Sequence, residues 1–125
     1  MSQTALGRRV AEDIGRYRNN RELVRSTLFQ RLTTHFVSPE VLHPNPEDEF
    51  SDPRIGPDDR IVARYCRIAL ASFAEGDRKI FHDPVLVVRM KPDGYMIING
   101  HHRWAAAVQV NAPRLRVSIV NPRNL

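Results

Sequence analysis

The chain has 125 residues, of which 42% are hydrophobic and 26% charged, a composition that predicts one globular domain. Its longest apolar runs, 68–74 and 85–88, are far shorter than the roughly 20 residues of a membrane helix, and the N-terminus lacks the apolar core of a signal peptide. A single cysteine, Cys66, excludes an internal disulfide, so we expect a cytoplasmic protein. The net charge of +5 is compatible with a polyanionic partner but does not require one.

The N-terminal part of the chain carries most of the excess positive charge. From Thr4 to Thr33 apolar residues recur at helical intervals, interrupted at Asn19 and Asn20, which predicts a helical N-terminal extension over residues 1–33. Basic side chains on the outer face of these helices predict a contact with DNA, although a solvated surface gives the same pattern. The arginines concerned are Arg8, Arg9, Arg16, Arg18, Arg21 and Arg25. The same helices are a candidate homodimer contact.

The globular domain is predicted over residues 34–125, and it opens with a strand and an acidic loop. Residues 35–42 are short and β-branched, as in a strand, whereas prolines recur too closely in 43–57 for regular structure. Glu47, Asp48 and Glu49 in this loop offer carboxylates for catalysis, and we expect Asp48 and Glu49 to hold Mg²⁺. The alternative is that the acidic residues only solubilise the loop.

The remaining elements follow from local signals. Asp58 and Asp59 are suited to capping a helix that ends at Gly76, and Cys66 lies in its apolar pattern as a packing residue. A buried strand is predicted over 85–90, a tight turn over 91–94 and a return strand over 95–98. A helix over 101–110 and a half-buried strand over 115–119 complete the chain.

The turn from Asn99 to Arg103 is the strongest candidate for a functional site. Gly100 directly precedes a helix, so the first N–H groups of that helix are free to bind an anion, and Arg103 is within reach to add a positive charge. The simplest ligand is a phosphate, bound by Asn99, Gly100, His101, His102 and Arg103. The alternative is an ordinary strand-to-helix connection in which Asn99 is the cap and the other side chains are solvated.

Two adjacent histidines in this turn cannot both point into one site from a helix. We therefore expect one of His101 and His102 to contact phosphate and the other to pack or to orient a neighbour. The spacing does not favour a structural zinc site, because further ligands would have to come from distant parts of the chain.

The stretches 83–88 and 93–107, with the core Asn99-Gly100-His101-His102-Arg103, resemble the ParB/sulfiredoxin superfamily. The resemblance implies a small α/β (α+β) domain with a mixed sheet and packed helices, which binds nucleotide phosphates at this turn, commonly with Mg²⁺. His101 occupies the position of the sulfiredoxin cysteine, so the chain is not expected to be a sulfiredoxin. His101 and His102 also replace the glutamate and arginine that partition proteins use around CTP.

The resemblance favours a stand-alone domain that binds ATP or CTP with Mg²⁺ at Gly100 to Arg103. NTP hydrolysis or phosphotransfer is an open extension, and free serine kinases of this fold use an acidic base near the first loop. The candidate catalytic residues are Glu47, Asp48, Glu49 and His101. The alternative function is a DNA-binding accessory protein or a ParB-like nuclease of a plasmid, phage or chromosome-partition system.

Overall fold

The computed structural model describes residues 22–122. In chain order its elements are β1 (Glu22–Val24), α1 (Leu28–Leu32), β2 (Thr34–Val37), a 3₁₀ turn (Pro39–Val41), β3 (Leu42–His43), a second 3₁₀ turn (Glu49–Ser51), α2 (Asp59–Ala74), β4 (Lys79–Lys91), β5 (Tyr95–Asn99), α3 (His101–Gln109) and β6 (Arg114–Ile119). The predicted mixed α/β class is confirmed. No helix in 22–122 is long and apolar enough to cross a membrane.

The long strand β4 organises a sheet that has six strands within the described residues, in the order β2-β6-β4-β5-β3 with β1 added to β4. The first half of β4 runs parallel to β6, and its second half pairs antiparallel with β5 and β1. The β4 to β6 register shifts between Ile80 and Val85, so β4 carries a bulge shortly before its central segment. β5 runs from the hairpin turn directly into α3, which places the candidate turn at one end of the sheet.

The two faces of the sheet have different partners. One face packs against α2 and α3 around Trp104, Val62 and Ala69 in the main core. The other face carries a small second cluster of Val88, Met90 and Met96, against which Leu23 of β1 packs. Side chains therefore alternate between the face covered by helices and the opposite face along each strand.

The prediction of helix is wrong for residues 22–24. They form β1, which pairs with β4 so that Leu23 lies opposite Met90. This sheet pairing and the second cluster outweigh the local helical spacing, which between residues 22 and 33 survives only in the five residues of α1. Arg25 is exposed, whereas the helix predicted before residue 22 and Arg8, Arg9, Arg16, Arg18 and Arg21 lie outside the described residues. The domain boundary at residue 33 stays a prediction.

The other predicted elements are confirmed in type, but two differ in extent. The single strand predicted over 35–42 is divided into β2 and β3 by a 3₁₀ turn, and the strand predicted over 85–90 is the longer β4, which begins at Lys79. The side chain of Asp58 caps α2 by accepting hydrogen bonds from the N–H groups of Arg60 and Ile61, and Gly76 follows its end in the left-handed conformation. Gly94 in the hairpin turn is also left-handed, with φ +84°. Cys66 packs beside α3, its Sγ 3.4 Å from Oε1 of Gln109, and partial burial raises the pKa of the thiol.

Candidate phosphate-binding site

The N-terminus of α3 is open. Gly100 is the N-cap residue with φ +106°, and within the described chain no side chain caps this helix end. The first hydrogen bond of the helix runs from Trp104 N–H to the Gly100 carbonyl, so the preceding N–H groups have no partner inside the helix. The alternative prediction, an ordinary strand-to-helix connection capped by Asn99, is therefore wrong about the cap. Free amides and the positive end of the helix dipole together favour an anion at this place.

Glycine is required at position 100 for two reasons, and we predict that Gly100→Ala destabilises the protein. A Cβ there would lie 3.0 Å from both Nη2 of Arg103 and Cγ2 of Val85, in a backbone conformation that is itself strained for alanine. We expect a loss of about 1–3 kcal/mol in the free energy of unfolding, measured by urea denaturation. Gly76→Ala is the matched control, because Gly76 also has a positive φ but no atom within 4 Å of its Cβ position. Equal losses in both variants would contradict crowding at Gly100.

Arg103 places a positive charge beside the open amides. Its Nη1 donates hydrogen bonds to the carbonyls of Asp83 and Pro84, at 2.7 and 3.3 Å, next to the bulge in β4. Arg103 forms no ion pair with a carboxylate among residues 22–122. Since a guanidinium has five N–H donors and no acceptor, two carbonyls hold Arg103 in place without neutralising it. Its Nη2 lies beside Gly100.

A cavity of about 420 Å³ opens at this helix end. All five residues of the predicted phosphate turn line it, together with residues of the acidic loop, β5 and α2. The full lining is Asp48, Ile61, Arg64, Tyr65, Ile98, Asn99, Gly100, His101, His102 and Arg103. The structure therefore brings Arg64 and Arg103 to one cavity from two different helices.

Arg64 and Tyr65 were not recognised as site residues from the sequence. The signal in the sequence is their spacing from Ile61, because positions three and four residues apart share one face of a helix. The guanidinium of Arg64 lies 5.6 Å from the centre of the Tyr65 ring, a cation–π contact that steadies it at the cavity wall.

His101 joins the helix end to the acidic loop. Its side chain is 5% exposed, its Nε2 accepts a hydrogen bond of 3.0 Å from Asn45 N–H, and its Nδ1 lies 3.8 Å from Oδ2 of Asp48. Burial lowers the pKa of His101 to about 4; the Asp48 carboxylate acts in the opposite direction, and His102 lowers it further. The ring is therefore neutral at pH 7 with its proton on Nδ1. Because the lone pair of Nε2 is engaged by Asn45, the predicted catalytic role of His101 stays a prediction.

His102 makes the same kind of bond at the other end of the loop. Its Nε2 accepts a hydrogen bond of 3.0 Å from Asp58 N–H, at the start of α2. Burial lowers the pKa of His102, while Asp58 and Asp48 oppose this effect. The two adjacent histidines thus bind the backbone at both ends of the segment 45–58.

Phe50 anchors the middle of this loop and was not recognised from the sequence. It is 2% exposed, and its ring centre lies 5.1 Å from that of His101, 5.3 Å from that of His102 and 6.1 Å from that of Trp104. The available signal is a single large apolar residue inside an acidic, proline-rich stretch. Phe50 holds the loop against the first turn of α3, next to the cavity.

Comparison with known proteins finds a family model that matches part of the chain and solved structures with a similar fold. Residues 78–125 match the model of the ParB N-terminal domain, and no curated protein matches the chain in sequence. The structure resembles the C-terminally truncated chromosome-partitioning protein ParB from Caulobacter crescentus, complexed with CTP-gamma-S. The TM-score is 0.52 at 22% identity, over 71% of this chain and 44% of that one.

A conserved hypothetical protein from Pyrococcus furiosus is similar to the same degree, with a TM-score of 0.50, 23% identity, and coverage of 70% of this chain and 32% of that one. The chain therefore spans less than half the length of either solved structure. These matches support the ParB/sulfiredoxin-like superfamily. The family match includes β4, β5, the open turn and α3, so it contains Gly100 to Arg103.

The acidic loop precedes the matched region, and its three acids lie in different surroundings. Glu47 and Glu49 are exposed, whereas Asp48 is half-buried. Oδ2 of Asp48 caps the 3₁₀ turn by accepting a hydrogen bond from Phe50 N–H, and Asp48 is the one acid among the described residues that line the cavity. Between residues 22 and 122 no three histidine, cysteine or acidic side chains gather as a metal site. Magnesium at Asp48 and Glu49 therefore stays a prediction.

Proposed function

We propose that the ParB-like domain binds a nucleotide, ATP or CTP, through its phosphate groups at the N-terminus of α3. The observation that carries the proposal is the uncapped helix end at Gly100, which opens into a cavity with Arg103 at its mouth. The Caulobacter ParB structure, which has a similar fold, is complexed with CTP-gamma-S, and this supports a nucleotide as the anion.

The charges around the cavity suit a phosphate chain. The N–H groups at the start of α3 would donate hydrogen bonds to one phosphate, and the guanidinium groups of Arg103 and Arg64 would pair with the remaining oxygens. Asp48 is the unfavourable neighbour, since its carboxylate faces the same cavity. A magnesium ion that arrives with the nucleotide would offset this repulsion, because Mg²⁺ commonly binds one carboxylate together with substrate phosphates.

Binding, rather than turnover, is the proposed function. Hydrolysis or phosphotransfer needs a group that positions the attacking oxygen. Of the predicted acids, Glu47 and Glu49 are exposed and are not part of the cavity wall among the described residues. Nuclease activity and phosphotransfer from these acids stay predictions.

Isothermal titration calorimetry tests the proposal with CTP, ATP and inorganic phosphate, each with and without Mg²⁺. We expect the wild-type protein to bind a nucleotide, and Arg103→Ala to weaken the binding about 10- to 100-fold, because one charge-assisted hydrogen bond contributes about 1.5–3 kcal/mol. Arg64→Ala is the second variant: its side chain lies on the surface of α2, so its loss is less disturbing to the fold. We expect it to weaken binding as well.

The matched control is Arg67→Ala, which removes an exposed charge from α2 outside the cavity. It should leave nucleotide affinity within about twofold, since an exposed charge contributes little at a distance. Absence of heat with every nucleotide, or an equal loss of affinity in the Arg67 variant, would refute phosphate binding at this helix end.

A further inference from the structure

The bulge of β4 contains a residue in a strained backbone conformation. Phe81 has a φ of +67°, in the left-handed region that a bulky side chain rarely adopts, and it lies where the β4 to β6 register shifts. Its side chain is 7% exposed and belongs to the main core. Asn111, the other non-glycine residue with a positive φ among those described, is of a type that tolerates this conformation. Strain such as that at Phe81 persists only where the surrounding structure holds it, and it is concentrated at functional sites.

The strained segment holds the guanidinium of Arg103. The carbonyls of Asp83 and Pro84, two and three residues after Phe81, both accept hydrogen bonds from Nη1 of Arg103. In a regular strand the carbonyls of successive residues point in opposite directions, so one nitrogen can bond to two of them only where the strand is irregular. The conformation of the bulge, which includes the positive φ of Phe81, therefore aims both carbonyls at Arg103.

The ring of Phe81 supports the second arginine of the cavity. Its centre lies 5.4 Å from that of the Tyr65 ring, and the two planes meet at 79°, an edge-to-face arrangement. The Tyr65 ring in turn lies 5.6 Å from the guanidinium carbon of Arg64. Arg64 and Tyr65 line the cavity, whereas Phe81 lies behind Tyr65, outside the lining that the described residues form.

We propose that Phe81 is a positioning residue for nucleotide binding, an inference that rests on the proposed function. Its backbone aims the two carbonyls that hold Arg103, and its ring supports Tyr65 beside Arg64. One residue outside the cavity thus fixes two cations, which come from different helices, relative to the open end of α3. A guanidinium whose direction is fixed before the ligand arrives loses less side-chain entropy when it binds phosphate, so the affinity is higher.

Isothermal titration calorimetry of the full chain with CTP and ATP, in the presence of Mg²⁺, tests the proposal on Phe81→Leu and Phe81→Ile. The two variants have the same atoms and both lack the ring, but the branched Cβ of isoleucine opposes a positive φ more strongly. Phe81→Leu should weaken binding about 2- to 5-fold, the contribution of an exposed cation–π contact. Phe81→Ile should weaken it about 10-fold or more, because Arg103 loses its hold as well.

Double variants distinguish positioning from a general loss of stability. In an Arg103→Ala background the difference between leucine and isoleucine at position 81 should disappear, and in an Arg64→Ala background the effect of leucine should disappear. A purely structural role would give the same loss of affinity in every background. Circular dichroism checks that each variant is folded. Should the isoleucine protein be unfolded, Phe81→Ala and Phe81→Gly replace the pair, because they differ in the same backbone preference.

Phe73→Leu is the matched control. Phe73 is a half-buried phenylalanine that packs against the same core, but it lies in the regular backbone of α2 and outside the cavity lining of the described residues. Its replacement should leave nucleotide affinity as in the wild type.

Two kinds of failure can be told apart. If the wild type binds a nucleotide and the arginine variants weaken it, but the Phe81 variants bind like the wild type or lose affinity equally in every background, the positioning role is overturned and the proposed function stands. An equal loss in the Phe73 variant also overturns the positioning role. Absence of nucleotide binding by the wild type overturns both.

Discussion

Replacement of Trp104 by alanine is expected to lower the free energy of unfolding by about 3–5 kcal/mol, the usual cost of removing a large aromatic side chain from a core. Trp104 is 1% exposed and lies in the main core. Its Nε1–H donates a buried hydrogen bond of 2.9 Å to the Pro39 carbonyl, which ties α3 to the segment between β2 and β3. Urea denaturation at neutral pH measures the loss.

Two further variants separate the contributions to this loss. Trp104→Phe keeps an aromatic ring but leaves the buried Pro39 carbonyl without its donor, and it should cost about 1–3 kcal/mol plus a smaller packing loss. Leu70→Ala removes an apolar side chain that is 55% exposed, so its effect should stay within about 0.5 kcal/mol. A Trp104→Ala protein that loses no more than the Leu70 variant would contradict the role of Trp104 as a core residue.

The free energy of unfolding is also expected to fall as the pH is lowered from about 7 to 4, because His101 is held neutral in the folded protein. Burial lowers its pKa from the ordinary 6.5 to about 4, despite the opposing Asp48 carboxylate. Between these values the unfolded chain binds a proton that the folded chain excludes, so acid favours unfolding. A shift of this size corresponds to about 3 kcal/mol, fully lost below pH 4. The lowered pKa of His102 acts in the same direction.

Urea denaturation of the metal-free protein at several pH values between 4 and 8 measures this effect. In His101→Gln the amide oxygen replaces Nε2 as an acceptor for Asn45 N–H, and no proton is taken up, so the dependence on pH should be weaker than in the wild type. His82→Gln, at an exposed position, should keep the wild-type dependence. Parallel stability curves for the wild type and the His101 variant would show that His101 does not carry the acid sensitivity.

The two histidines at the site fix the position of the acidic loop. His101 accepts a hydrogen bond from Asn45 N–H, and His102 accepts one from Asp58 N–H. Phe50, which lies between Asn45 and Asp58 in the chain, packs against both imidazole rings. The acidic loop is thereby fixed beside the open end of α3, and Asp48 is brought to the cavity. The sequence predicts that one histidine contacts phosphate and that the other packs or orients a neighbour. The structure shows both engaged with the loop backbone, and a phosphate contact by either stays a prediction.

The elements that were predicted well depend on residues close together in the chain. Asp58 caps α2 because its side chain reaches the N–H groups two and three residues later, and Gly94 and Gly100 occupy positive φ because they lack a Cβ. The open helix end at Gly100 belongs to this class, and so does the position of Arg103 three residues further on. Short-range chemistry of this kind can be recognised without knowing how the chain folds.

Other features depend on segments that are distant in sequence and meet only in the folded protein. Glu22–Val24 forms a strand because it pairs with β4, although the apolar residues around it are spaced as in a helix. Phe50 is buried, and Arg64 reaches the cavity, because the acidic loop and α2 pack against α3 from more than 30 residues away. Local propensities are worth tenths of a kcal/mol per residue, whereas these long-range contacts bury whole side chains, so the folded arrangement determines them.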